Sequence, residues 1–190
     1  PVPLRARRRG ARVHDPRPVT TAVLRTGRLL LRPVRASDAA PLAVRRNDPD
    51  VAVYQDWLVP YPLERAETVI AEVAAMDGPS EDDWWMLTVA YLDDTSVYGY
   101  VVMHLTAGGH TAEIGYTFAR EYWGKGFAVE AVDALVGYLL DTVGVTRVTA
   151  MLHPDNVASA MLLERVGMLW EGHTRLSFWL GDDNSDDWIY

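Results

Sequence analysis

Tyr122-Trp123-Gly124-Lys125-Gly126-Phe127-Ala128 runs directly into a stretch that places Ala128, Val132, Leu135, Val136 and Leu139 on one helical face. Glycines at 124 and 126 lack the Cβ atoms that would hold a phosphate away from the backbone, and the first turn of the following helix offers unpaired N–H groups and a positive dipole end. Lys125 adds a point charge. The segment before it, Glu113-Ile-Gly-Tyr-Thr-Phe118, alternates like a strand. A Gly-x-Gly pair alone is as readily a plain loop entering a helix. Strand, glycine loop and helix in that order make a polyphosphate-bearing coenzyme the leading ligand.

Two familiar phosphate loops do not fit. A P-loop requires Lys followed by Ser or Thr after the second of two widely spaced glycines, whereas Lys125 lies between Gly124 and Gly126. The dinucleotide fingerprint requires a small third residue where Val129 stands and an acid closing the next strand, which Thr146–Met151 lacks.

At these residues the chain resembles the GNAT superfamily of N-acetyltransferases, and within it the RimJ/RimL-like branch. The family loop, Arg/Gln-x-x-Gly-x-Gly/Ala, maps onto Trp123-Gly124-Lys125-Gly126-Phe127-Ala128, with Trp123 departing from the usual first residue. A second block agrees: Asn156-Val-Ala-Ser159 and then Leu163-Glu164-Arg165-Val166-Gly167-Met168 are similar to the family's Asn-x-x-Ser followed by a Glu-Lys-x-Gly-Phe ending. The resemblance spans roughly Arg28 to Tyr190, with specific motifs only between Glu113 and Gly172. It implies acetyl-CoA as co-substrate, a primary amine as acceptor, and a coenzyme arm lying between splayed strands at Thr111–Phe118 and Arg147–Met151.

Composition is compatible with this without demonstrating it. At 190 residues, 49% hydrophobic and 23% charged, the chain has the length and apolar content for one globular domain. The absence of cysteine excludes disulfides, a thiol nucleophile and thiolate metal sites. No apolar run suits a membrane span and no signal segment opens the chain, so a cytoplasmic enzyme is expected. The net charge of −8 is unevenly spread: residues 1–28 sum to +7 and residues 29–190 to −15. An acidic body argues against nucleic acid as the main partner and suits a cationic amine, although solubility explains it equally well. Residues 1–27, rich in Arg and Pro without apolar period, read as a flexible extension. The alternatives are contact with an anionic partner or with a second subunit in a homodimer.

The order of elements reads as mixed α/β, an α+β arrangement. Arg28–Pro33 is a first strand, Ser37-Asp38 caps a helix through Arg46, and 47–61 is an irregular connection. Pro62 starts a helix with Ala66, Val69, Ile70, Val73 and Met76 inward, stopped at Gly78. Strands at Trp84–Leu92, Val97–Leu105 and Thr111–Phe118 form an antiparallel meander. After the glycine-loop helix come a β run at Arg147–Met151, a helix at Asn156–Val166 ended by Gly167, and a final antiparallel pair. The resemblance implies the GNAT fold for this sum: a central, mostly antiparallel mixed sheet with helices on both faces.

Acetyl transfer to an amine requires a neutral amine, a polarised carbonyl and a proton for the departing thiolate. Glu113, on the strand feeding the loop and on the face opposite Ile114 and Tyr116, is the best candidate for the base, with a solvated strand carboxylate as the plain alternative. Glu171 is the second candidate. By resemblance, backbone N–H groups at Tyr116, Thr117 and Phe118 polarise the carbonyl, Asn156 and Ser159 contact the pantetheine, and Ser159 protonates the thiolate. Helix capping explains Asn156 without any ligand. His104, His110, His153 and His173 show no paired spacing, so no metal is expected. Tyr54, Trp57 and Tyr61 are candidates for the acceptor mouth, and one of Trp84 and Trp85 belongs in the core. The expected acceptor is a protein N-terminal α-amine, with a polyamine, amino acid or aminoglycoside, or a coenzyme-binding module without catalysis, as alternatives.

Overall fold

Leu29, Leu30, Leu31 and Arg32 are all buried, and so are Trp85 to Ala90, so both faces of these strands are covered. In the computed structural model, which describes residues 22–190, they are the second and third strands of a six-stranded sheet. Its members are β1 (Leu24–Arg25), β2 (Leu29–Pro33), β3 (Trp85–Tyr91), β4 (Val97–Thr106), β5 (Thr111–Phe118) and β6 (Arg147–Thr149), in spatial order one to six. The first five are antiparallel, and β5 and β6 run parallel. A second sheet, ordered β7-β9-β8, holds β7 (Met151–Leu152), β8 (Gly172–Leu180) and β9 (Asp183–Ile189).

Five helices pack on this frame: α1 (Ala39–Arg46), α2 (Pro49–Ala52), α3 (Leu63–Ala74), α4 (Phe127–Tyr138) and α5 (Val157–Arg165). In α3, Ala66, Ile70 and Val73 are buried and Val69 partly so, which is the stripe expected from the 3.6-residue period; Met76, also partly buried, lies just past the end of the helix at Ala74. In α4, Ala131, Val132, Leu135 and Tyr138 are buried, and the helix runs on through a π turn at Leu139–Val143.

Three details differ from the sequence expectation. The chain enters the sheet before Arg28: Leu24 pairs with Leu31 and Ala22 is buried, so residues 22–27 belong to the fold, while the rest of the Arg-rich arm lies outside the described residues. Asp38 is no ordinary cap. It is buried, accepts from the Arg35 N–H and the Thr88 hydroxyl at 2.8 Å each, and pairs with Arg32 at 2.8 Å. A buried carboxylate must be paired in this way, and the requirement outweighs the local cap. Finally, the run at Arg147–Met151 is not one strand. It leaves β5 after Thr149, and Ala150 instead exchanges two backbone hydrogen bonds of 3.0 Å with Tyr190, the neighbour of β9.

Candidate active site

The change of partner at Ala150 creates the site. β5 and β6 are paired from Thr111 and Arg147 up to Glu113 and Thr149, and beyond that point no ladder joins them. Glu113 therefore stands at the vertex of a fork whose arms are Ile114–Phe118 and Ala150–Leu152. In an antiparallel ladder the peptide groups alternate in direction. Ala119 donates its N–H to the Tyr98 carbonyl, so Thr117 likewise turns its peptide toward β4, and Tyr116 and Phe118 turn theirs toward the fork. Of the three backbone groups expected to face a ligand, the Thr117 N–H is thus committed to the sheet. The alternation needed to see this depends on the register with β4, which sequence does not specify.

A cleft of about 540 Å³ fills the fork and continues under the glycine loop to α5. That volume suits an extended small-molecule chain. Its wall is mostly apolar, with Ile114, Ala128, Leu152, Met161 and Leu163 among the lining residues. Gly124 and Gly126 line its far end and adopt φ of 71° and 77°, a left-handed backbone that a side chain would strain. A Cβ built on Gly124 meets no protein atom within 4 Å, so the loop leaves a cradle beside the first turn of α4. Residues present here fit a pyrophosphate: three N–H groups of Phe127, Ala128 and Val129 precede the first intrahelical bond, from Glu130 to the Gly126 carbonyl. Trp123 is half-exposed, and its indole N–H donates to the Phe118 carbonyl at 2.8 Å, fixing the loop to the end of β5. Lys125 and Phe127 do not line the cleft. The Lys125 ammonium lies 6.0 Å from the Tyr122 ring, and the Phe127 ring packs on Tyr98 at 4.7 Å, so Phe127 can offer a ligand only its backbone.

Across the fork, the Tyr116 hydroxyl meets Ser159 Oγ at 2.5 Å. Burial pushes the Tyr116 phenol up to about 12 despite the opposing hydrogen bond with Ser159, so it keeps its proton throughout the neutral range. Asn156 caps α5, its side-chain oxygen accepting from the Ser159 N–H at 3.1 Å. This bond uses the oxygen, and Asn156 is among the residues that line the cleft. The Tyr116 hydroxyl is a candidate site group that the sequence does not reveal, because its partner lies 43 residues away. Also missed were Asp50 and Gln55, on and just after α2, which join the expected Tyr54. Asp50, Tyr54 and Gln55 line the cleft, with Asp50 paired to Arg120, Gln55 accepting from the Thr117 hydroxyl at 3.3 Å, and the Tyr54 hydroxyl donating to the Asp155 carbonyl at 3.3 Å. No period or motif marks these residues. Of the three aromatics expected at an acceptor mouth, Tyr54 alone lines the cleft; Trp57 and Tyr61 are buried, with Arg46 stacked on both rings. Trp85 is the core tryptophan, and Trp84 is exposed against His104.

The two candidate bases stand in unlike surroundings. Glu113 is half-buried, directly across the ladder from His104, and on the face of β5 opposite Tyr116. Burial raises its carboxyl above the usual range, the nearby His104 opposes this, and Asp187 adds to it. It does not line the cleft, since the fork opens just beyond it. Glu171 is exposed and held by a two-pronged hydrogen bond from Arg147, which keeps its carboxyl below the usual range. A carboxylate so engaged is the poorer proton acceptor. Among the described residues no cluster of His, Asp and Glu could hold a metal ion, and no helix is long and apolar enough to cross a membrane.

A helix-covered mixed sheet that forks over a glycine loop is the arrangement that the GNAT resemblance implies, and the comparisons agree. The family described as "Acetyltransferase (GNAT) domain" matches residues 28–169, so the chain belongs to the GNAT acetyltransferases, enzymes that use acetyl-CoA. It is 30% identical over 154 residues to the uncharacterized N-acetyltransferase YoaA of Bacillus subtilis, covering 80% of this chain and 86% of that protein. A GNAT-family acetyltransferase from Bacillus anthracis superimposes with a TM-score of 0.79 at 26% identity, covering 89% of this chain and 96% of its own. The microcin C7 self-immunity acetyltransferase MccE, solved with acetyl-CoA and AMP, shares the fold at 20% identity and a TM-score of 0.75, covering 87% and 92%.

Proposed function

We propose that this acetyltransferase moves an acetyl group from acetyl-CoA to a primary amine, with a protein N-terminal α-amine as acceptor. The observation that carries the chemistry is the fork itself, with Glu113 at its vertex on one face and the Tyr116–Ser159 pair across it on the other. A thioester drawn through the gap meets a base from one side and a proton donor from the other. Glu113, directly or through a water, takes the ammonium proton, and the neutral amine attacks the carbonyl. The Tyr116 or Phe118 N–H stabilises the oxyanion. As the C–S bond breaks, the thiolate takes the Ser159 proton, which Tyr116 replaces along their 2.5 Å hydrogen bond, and the proton that the new amide nitrogen loses passes through solvent to restore the Tyr116 hydroxyl. The Phe127 to Val129 N–H groups bind the pyrophosphate, and Asn156 donates to the pantetheine.

The choice of acceptor rests on partial relatives. The chain is 35% identical over 85 residues to a putative ribosomal N-acetyltransferase, YdaF of Bacillus subtilis, and 33% identical over 66 residues to the uS5-alanine N-acetyltransferase of Escherichia coli. Thiol release from acetyl-CoA, measured against peptides with free N-termini and against polyamines, amino acids and aminoglycosides, tests the reading. Turnover confined to the small amines would overturn the peptide acceptor, and coenzyme binding without turnover on any amine would leave a non-catalytic module.

Two variants separate structure from chemistry in α5. Ser159→Ala is expected to lower kcat by about 10², the low end for loss of a proton donor, with Tyr116→Phe lowering it less because Ser159 still reaches the thiolate. Normal kcat with a lower Tm would reduce the pair to packing. Asn156→Ala is expected to cost about 1 kcal/mol of stability as a lost cap and also to raise the acetyl-CoA KM. Thermal unfolding and initial rates check both, and an unchanged KM would leave the cap alone.

A further inference from the structure

Glu130 lies in the first turn of α4, beside the N–H groups that face the glycine cradle. A carboxylate at a helix start is ordinarily favourable, but here it shares that positive end with the diphosphate the loop should bind, and two anions would repel. The structure answers with unusually complete neutralisation. Glu130 Oε1 accepts from the Thr26 hydroxyl at 2.5 Å and the Arg28 N–H at 2.8 Å, and Oε2 accepts from Arg28 Nε and Nη2 at 2.6 Å each. Burial alone would raise this carboxyl, yet the bonds from Thr26 and Arg28 outweigh it and hold it below the usual range. Arg28 then reaches past Glu130. Its Nη1 donates to the Lys125 carbonyl at 3.1 Å, its guanidinium lies 4.3 Å from the Phe127 ring, and its Nη2 is 3.5 Å from where a Gly126 Cβ would stand. One side chain from the β1–β2 turn thus grips both sides of Gly126.

We propose that Arg28 is a positioning residue for the coenzyme's diphosphate, acting through Glu130 and the Lys125 carbonyl to hold the glycine loop open and to cancel the carboxylate at the helix start. The inference rests on the acetyl-CoA reading of the cleft. Its geometric content is that the grip is an ion pair with a planar fork, which lysine cannot reproduce, and that it serves only the phosphate end of the ligand.

The experiment compares two acetyl donors, acetyl-CoA and S-acetylpantetheine, which shares the thioester arm but has no phosphate. Arg28→Ala is expected to raise the KM for acetyl-CoA about tenfold, with a much smaller fall in kcat and little change in the KM for S-acetylpantetheine. Arg28→Lys should recover only part of the loss. In Arg28→Ala the Glu130 charge is left uncompensated, so adding Glu130→Gln should bring the acetyl-CoA KM back toward wild type. An acetyl-CoA KM within twofold of wild type in Arg28→Ala overturns the proposal, as does an equal loss with both donors, which would mark a general packing role. A wild-type protein that binds no coenzyme A in calorimetry overturns the coenzyme reading and this proposal with it, whereas normal wild-type binding with either of the preceding results overturns the role of Arg28 alone.

Discussion

A Glu113→Gln variant is expected to lose about 10²–10⁴ of its turnover while its affinity for acetyl-CoA stays close to that of wild type, the scale on which a general base contributes. Glu113 stands where β5 and β6 part, one residue before the cleft-lining Ile114, and it lies on the opposite face from the Tyr116–Ser159 pair, so the proposed role requires the amine or a bridging water to reach the vertex of the fork. An N-terminal α-amine, of pKa about 8, is still mostly protonated at neutral pH and needs an acceptor for that proton. The raised carboxyl of Glu113 is better matched to the task than an ordinary surface glutamate. Two further results distinguish this role from a structural one. High pH should partly rescue the variant, because more acceptor is then neutral without help. Stability should move the other way. A carboxyl whose folded pKa lies above its unfolded value favours folding below the unfolded value and loses that contribution as pH rises through the folded one. Near neutral pH the ionised Glu113 therefore opposes folding, and Glu113→Gln should melt no lower than wild type. A variant with wild-type kcat at neutral pH would pass the role to water, since Glu171 is engaged by Arg147.

Gly126→Val is expected to weaken coenzyme binding by about two orders of magnitude, the loss of one or two charge-assisted hydrogen bonds at about 1.5–3 kcal/mol each. The residue precedes the free N–H groups of α4 and holds φ at 77°, where a β-branched side chain is strained. Its Cβ would stand 3.5 Å from Arg28 Nη2, an ordinary contact, so it is the left-handed backbone rather than a clash that should make the loop shift. Some stability is lost as well, about 1–2 kcal/mol for the left-handed backbone. Gly126→Ala carries the same strain with a smaller side chain and serves as the control for it. Lys125→Ala should cost binding only about 1 kcal/mol, the scale of an exposed ion pair. Titration calorimetry with coenzyme A ranks the three, and a Lys125 loss larger than that of Gly126→Val would place the determinant in the side chain rather than the backbone.

Local pattern carried the helices and the meander. The stripe of α3, the limits of β5 and the cap of α5 at Asn156 depend on periodicity and on residues a few positions apart, so they were legible in the sequence. The break at Ala150 was not. Thr146–Met151 alternates like any strand, and only the arrival of Tyr190 decides that Ala150 leaves β5. The buried Asp38 misled for a similar reason: Ser-Asp before a helix reads as a cap, while Arg32 and Thr88, which claim the carboxylate, come from two other strands.

The sequence by itself determined that a strand, a glycine loop and an amphipathic helix would stand together, because glycine's backbone freedom and the 3.6-residue period are local properties. It also determined the family, through residue types at short spacings. Tertiary structure alone decided which groups face one another across the fork: Tyr116 and Ser159 from a strand and a helix, Glu113 on the far face, the α2 segment closing the side, and Arg28 reaching Glu130 across 102 residues. Those contacts depend on sheet register and on where β6 gives way to β7, and no spacing along the chain encodes a distance between elements that meet only when the core has packed.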